Sequence, residues 1–154
     1  MTAYTADSFE PDRSIGYLVK RVHWDAMALI EPSFDGTDLT YTQFVALASI
    51  VFGKGRTCAA LARELGHDMG ATSRIIGVLE ERGLLTRERD AADRRILNLE
   101  VTDAGYELAA VARTRLVDHW NRWLTDWSDN EVETLITGLQ RLQRTLADVR
   151  GEAA

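Results

Sequence analysis

The sequence predicts a mainly α-helical fold with a small β-hairpin wing: a winged helix-turn-helix framed by N- and C-terminal dimerisation helices. Three observations carry this. Apolar residues recur at three- and four-residue steps over most of the 154 residues, and only two prolines, Pro11 and Pro32, interrupt them. One stretch, residues 84–101, alternates instead and follows directly on a pair of short helices. Near the C-terminus Val132, Leu135, Leu139, Leu142, Leu146 and Val149 are spaced alternately three and four apart, the pattern of a helix–helix seam.

The elements follow in order. Residues 1–11 read as a flexible arm. A first helix is expected from about residue 12 to 33, with Ile15, Leu18, Val19, Val22, Ala26, Leu29 and Ile30 on one stripe and Tyr17 and Trp24 on another. Two apolar faces imply packing on two sides. Asp35-Gly36-Thr37-Asp38 breaks the pattern. Thr40 and Gln43 have capping-box spacing and open a second helix to about Phe52. Gly53-Lys54-Gly55-Arg56 reads as a turn, Thr57 as the cap of a third helix, and Gly66 as its stop. Asp68 caps a fourth helix that ends near Arg82-Gly83.

Strands are expected over residues 84–89 and 95–101, around the turn Asp90-Ala91-Ala92-Asp93-Arg94. A long helix runs from Thr102 to about Trp127, and Ser128/Glu131 form a second capping box for the last helix. The organisation is then a winged helix over residues 40–102 and a helical dimerisation region over residues 12–34 and 103–150. Ile15, Leu18, Val22, Leu135, Leu139, Leu142 and Leu146 are its candidate contacts. Packing of the last helix back on its own chain is the alternative.

The fourth helix would present Gly70, Ala71, Ser73, Arg74 and Gly77 on its outer face. Small residues admit close approach of a duplex, Ser73 can bond a base edge or phosphate, and Arg74 can fork onto guanine O6 and N7. The helix N-terminus is a further place for a phosphate. In the wing, Arg87, Arg94 and Arg95 are cations for backbone or minor groove. Asp93 either orients a neighbouring arginine or serves turn chemistry alone.

Charge tempers this picture and then supports it. The chain carries 18 basic and 24 acidic residues, a net of −6, against non-specific coating of nucleic acid. Yet residues 54–95 hold nine basic and seven acidic residues, a net of +2, so the acidity lies elsewhere. Lys20 and Lys54 are the only lysines; the arginine bias suits bidentate recognition, or reflects a GC-rich genome. The single Cys58, the absence of an apolar signal segment in residues 1–11 and the absence of a 20-residue apolar run fit a cytoplasmic, nucleoid-associated protein without a membrane partner. Three scattered histidines offer no metal-ligand spacing, and no nucleophile, paired-carboxylate or phosphate-loop constellation indicates an enzyme. No cofactor is expected.

At this point the sequence resembles the multiple antibiotic resistance regulator (MarR) family of bacterial transcription factors, over nearly the whole chain. The resemblance rests on Leu61-Ala62-Arg63-Glu64-Leu65-Gly66, Thr72-Ser73-Arg74-Ile75-Ile76, and Leu79-Glu80-Glu81-Arg82-Gly83-Leu84-Leu85. It continues through Asp90-Ala91-Ala92-Asp93-Arg94-Arg95 into Leu99-Glu100-Val101-Thr102-Asp103-Ala104-Gly105. It implies a homodimer on a pseudo-palindromic double-stranded operator, usually a repressor, released by a small aromatic or phenolic ligand or by an oxidant. It places Gly70, Ala71, Ser73 and Arg74 at base-reading positions and Arg95 in the minor groove, with Asp93 as its partner. Ala92 stands where the family often has a basic residue. No cysteine lies near the start of the first helix, where the peroxide-sensing branch carries its own.

For an aromatic acid effector the candidate contacts are His23, Trp24, Met27, Phe44, His119 and Trp120. Helically spaced aromatics also serve as core or interface. The competing function is a winged-helix protein-interaction module without DNA binding.

Overall fold

The structure, a computed structural model, describes residues 4–5 and 9–151. Among these the order is α1 (Ile15–Ile30), α2 (Tyr41–Val51), α3 (Cys58–Leu65), α4 (Met69–Glu81), β1 (Leu85–Arg89), β2 (Leu97–Val101), α5 (Asp103–Trp123) and α6 (Asp129–Val149). Residues up to Leu116 form one compact unit and those from Val117 a second, the boundary falling within α5.

In the first unit α2 is the central element, in contact with α3, α4 and β2. Ala46 and Leu47 are wholly enclosed, and Phe44, Ser49 and Ile50 are buried beside them. Leu61 of α3, Ile76 and Leu79 of α4, and Leu85 and Leu99 of the wing close the core. Each such side chain contributes about 1.5–3 kcal/mol by leaving water. Thr72 is also fully buried; its hydroxyl donates to the Asp68 carbonyl at 2.9 Å, so no polar group is stranded.

The caps fall where the sequence places them. Thr40 Oγ1 accepts from Gln43 N at 3.2 Å while Gln43 Oε1 accepts from Thr40 N at 3.0 Å. Thr57 and Asp68 accept from Ala60 N and Ala71 N, and Gly66 ends α3 at φ +65°. Ser128 and Glu131 form the second box, at the start of α6.

Several boundaries differ from the periodicity. Pro11–Arg13 forms a 3-10 turn, and α1 begins only after Ser14, whose side chain caps Tyr17 N. The Tyr4 hydroxyl accepts from Ile15 N at 2.9 Å, so this part of the expected arm lies on the helix start. Helix α1 stops at Ile30 because Pro32 has no N–H to continue it, and Glu31–Phe34 tightens into 3-10 geometry. Helix α5 stops at Trp123, since the extended backbone of Ser128 must precede α6. Strand β2 starts at Leu97, two residues after the expected start, because Ile96 N donates to Asp93 O and takes Arg95 into a turn.

The hairpin pairs Leu85 with Val101 through Arg89 with Leu97. It gains a third edge where the sequence predicts only the end of a turn, at Arg56, and a helix cap, at Thr57. Leu99 N donates to Arg56 O at 2.8 Å, and Thr57 bridges Asn98. Behind the wing, Thr102 Oγ1 donates to Gly83 O at 2.7 Å and accepts from Gly105 N at 3.1 Å. Gly105 itself is buried, and a Cβ there would fall on the carbonyl oxygen of Leu84.

Exposed apolar surface is concentrated at the chain's two end helices. On α1, Ile15, Leu18, Val22 and Trp24 are exposed, the last by 67%. On α6, Leu135, Leu139 and Leu146 are exposed, Leu142 is half-buried, and no residue is buried. Exposed apolar stripes of this kind are candidate interaction surfaces.

Candidate nucleic-acid interface

Helix α4 follows α3 across the short Gly66-His67-Asp68 turn, the geometry of a helix-turn-helix with α4 outermost. Its inner face, Thr72, Ile76 and Leu79, is fixed in the core, which turns Gly70, Ser73 and Arg74 to solvent. Ala71 is half-buried. Gly77 is half-buried too, but a Cβ there would meet nothing within 4 Å. Among the described residues of this unit nothing therefore requires the glycine. Gly77→Ala is expected to stabilise the free chain by about 1 kcal/mol through helix propensity. If a duplex packs on this face, the same substitution weakens DNA binding; urea unfolding and a gel-shift titration read the two effects separately.

The tip of α4 differs from the sequence expectation of a phosphate site. Asp68 Oδ1 already accepts from Ala71 N at 2.8 Å. That bond, a second from Gly70 N, and the nearby Arg74 and His67 charges hold the Asp68 carboxyl below its usual range. A phosphate arriving there would meet an ionised carboxylate and an occupied donor.

The wing is ordered by two aspartates. Asp90 Oδ1 accepts from Ala92 N and Asp93 N at 2.9 and 3.0 Å, and Asp90 Oδ2 accepts from Asn98 Nδ2 at 3.0 Å. Asp93 grips Arg95 in a fork, with Oδ1 to Nε at 3.1 Å and Oδ2 to Nη2 at 3.2 Å, and its Oδ1 also accepts from Arg95 N. The two readings of Asp93 are thus both realised in its geometry. The Arg95 side chain remains 91% exposed, so it is aimed without being buried. Arg94 is exposed beside it, its carbonyl accepting from Arg89 Nη1 at 3.0 Å. Arg87 is placed differently. Its Nε lies 2.9 Å from Glu80 Oε2, which ties β1 to α4.

The bond from Asp93 N to Asp90, and that from the Arg95 side chain to Asp93, hold both carboxyls below the usual range. A depressed folded-state pKa stabilises the fold above the unfolded-state value, and this stabilisation is lost as pH falls through the folded-state value. Wing order should therefore persist at pH 5 and fade in acid below about pH 4. Amide resonances of Ala92 and Asp93 that titrate at the ordinary carboxylate pKa would contradict it.

Of the six residues weighed as effector contacts, Phe44 lines a cleft of about 370 Å³ with Ala48, Val51, Phe52, Tyr106, Glu107, Ala109, Ala110 and Arg113. Its walls come from α2 and α5; Tyr106 and Arg113 join Phe44 only through the packing of these two helices, which no local pattern in the sequence shows. His23 and Trp24 are exposed on α1, and Met27 is half-buried. In the second unit His119 and Trp120 each pack a ring against Trp123, at 5.7 and 5.2 Å between centroids. Among the described residues no group of three or more His, Cys, Asp or Glu is placed to hold a metal ion. No helix there is long and apolar enough to cross a membrane.

The MarR family model matches residues 37–96, the segment that holds α2, α3, α4 and the wing turn. Over this segment the chain is similar to the MarR family. Solved structures of such regulators match far more of the chain. The transcriptional regulator BldR from Sulfolobus solfataricus is 25% identical, with 83% of this chain and 91% of that one covered at a TM-score of 0.74. The transcriptional repressor CouR, solved on a 23-mer DNA duplex, is 26% identical over 86% of this chain and 94% of its own, again at 0.74. CouR from Rhodococcus jostii RHA1 with p-coumaroyl-CoA is 25% identical, covering 88% and 95%, at 0.74. The MarR fold thus extends well beyond the matched segment.

Proposed function

We propose that this chain is a homodimeric, sequence-specific DNA-binding transcriptional regulator, acting as a repressor that a small aromatic acid releases. The observation that carries the DNA reading is the exposed Gly70/Ser73/Arg74 face of α4 beside a wing whose Arg95 is held ready by Asp93. A helix for the major groove and an arginine for the minor groove are the two parts such a reader needs. The exposed stripes on α1 and α6 support the dimer, and CouR on its duplex supports the target. A protein-interaction module would have no use for this paired arrangement.

Gel-shift titration with the DNA flanking its own gene should show saturable binding that survives competitor DNA. Sedimentation equilibrium should give twice 17.2 kDa. A monomer at micromolar concentration, or binding abolished by any competitor sequence, would sink the proposal.

The effector reading rests on the α2–α5 cleft. Phe44, Phe52 and Tyr106 supply an aromatic lining, and Arg113 supplies a cation at its wall. An aromatic carboxylate is expected to bind there and weaken the DNA complex, while Arg113→Ala should raise its Kd about tenfold, the value of one charge-assisted bond. If a broad panel of aromatic acids leaves both tryptophan fluorescence and DNA affinity unchanged, the repressor has no such effector.

A further inference from the structure

We propose that Met69 is a base-reading residue of α4 that packs on the C5-methyl group of one thymine per half-site. This rests on the DNA-binding reading above and adds a specificity contact to it.

Met69 is the first residue of α4 and is 53% exposed. Helical side chains lean toward the helix N-terminus, so a side chain at the first position projects past the tip, into the region of a recognition helix that meets base edges. The tip itself is closed to phosphate by Asp68, as described above. Around Met69 the first turns offer Gly70 with no side chain, a half-buried Ala71, and the polar Ser73 and Arg74. Met69 is therefore the large apolar group exposed at this end of the helix. It takes no part in the buried core, so the fold does not explain it.

The major groove displays one apolar feature, the thymine methyl, and an apolar side chain is the group that reads it. A thioether on three rotatable bonds adapts to such a contact. With Arg74 reading guanine, Met69 would give the same helix a second, non-polar position of discrimination.

The test starts from the full chain. Sites are selected from a random duplex library, and each thymine of the selected half-site is replaced in turn by uracil, which removes only the methyl group. At one thymine per half-site, uracil should weaken wild-type binding about fourfold, the value of one buried methyl. Met69→Ala should bind the thymine and uracil duplexes equally, and Met69→Leu should recover the preference. Since Met69 is exposed, these variants are expected to unfold at the wild-type urea midpoint. A half-site without a fixed thymine, or a uracil penalty that is absent or equal in wild type and Met69→Ala, overturns the assignment while leaving the DNA-binding reading intact. A chain that selects no sequence at all overturns that reading and this inference with it.

Discussion

Replacing Gly105 by alanine is expected to lower stability by about 3 kcal/mol, at the upper end of what one extra buried methyl does in a packed interior. The added Cβ would land on the Leu84 carbonyl oxygen and lie 2.8 Å from Val101 Cγ1. Neither neighbour can easily retreat. The Leu84 carbonyl accepts from Thr102 N at 3.1 Å, and both Leu84 and Leu85 are buried at the wing base. Gly105 also donates its N–H to Thr102 Oγ1, which fixes the start of α5 against the end of β2. The clash therefore pushes helix and wing apart. For a chain of this size the loss corresponds to a fall in Tm of about 10 °C. The control is Gly138→Ala, where a Cβ meets nothing within 4 Å, so α6 should gain rather than lose stability. Equal urea midpoints for wild type and Gly105→Ala would refute the packing argument.

Gly105 also shows what a single sequence conveys and what it leaves out. Its resemblance to a family motif is visible in Thr102-Asp103-Ala104-Gly105; the reason for the glycine is a backbone contact with Leu84, 21 positions earlier, which no local pattern encodes. Local chemistry was legible. Thr40/Gln43, Thr57, Asp68 and Ser128/Glu131 cap the helices that their spacing announces, because a cap is satisfied within four residues.

Where element ends depart from the apolar period, the causes lie outside that period. Ser14 is followed by no capping-box glutamate or glutamine, and the turn at residues 93–96 competes with the strand ladder for Arg95. The third edge of the wing at Arg56-Thr57 is too short to alternate. At the site, Arg74 on the outer face and an aspartate beside the wing arginines follow from residue type and spacing, whereas the pairing of Asp93 with Arg95 follows only from the family resemblance. The commitment of Arg87 to Glu80, the ordering role of Asp90 and the α2–α5 cleft require tertiary placement. The apolar period on α1 and α6 is legible in their spacing; that its residues stay uncovered within this chain is not, because period alone does not say what lies against a helix face.

The second large effect concerns the two arginines, whose losses should differ in kind. Arg95→Ala removes a cation aimed by Asp93 and left 91% exposed, with little to lose in the free fold. Its expected signature is weaker binding to every duplex, specific or not, and a log–log salt slope flattened by about 1 per half-site, because fewer counterions are released. Asp93→Ala should give a milder form of the same defect. It leaves the charge but frees the guanidinium from its fork, so the cost is orientation. Arg74→Ala should act at one base pair per half-site, narrowing the preference for guanine there by about 1–3 kcal/mol while changing the salt slope much less. The contrast follows from placement. Arg74 projects from a helix held through Thr72, Ile76 and Leu79, whereas Arg95 sits on a turn held by Asp90 and Asp93. Binding isotherms over a salt series, on the selected site and on single-base variants, separate the two. If both variants lose affinity uniformly and with the same salt slope, α4 does not read bases through Arg74, and the reading head must lie elsewhere on the chain.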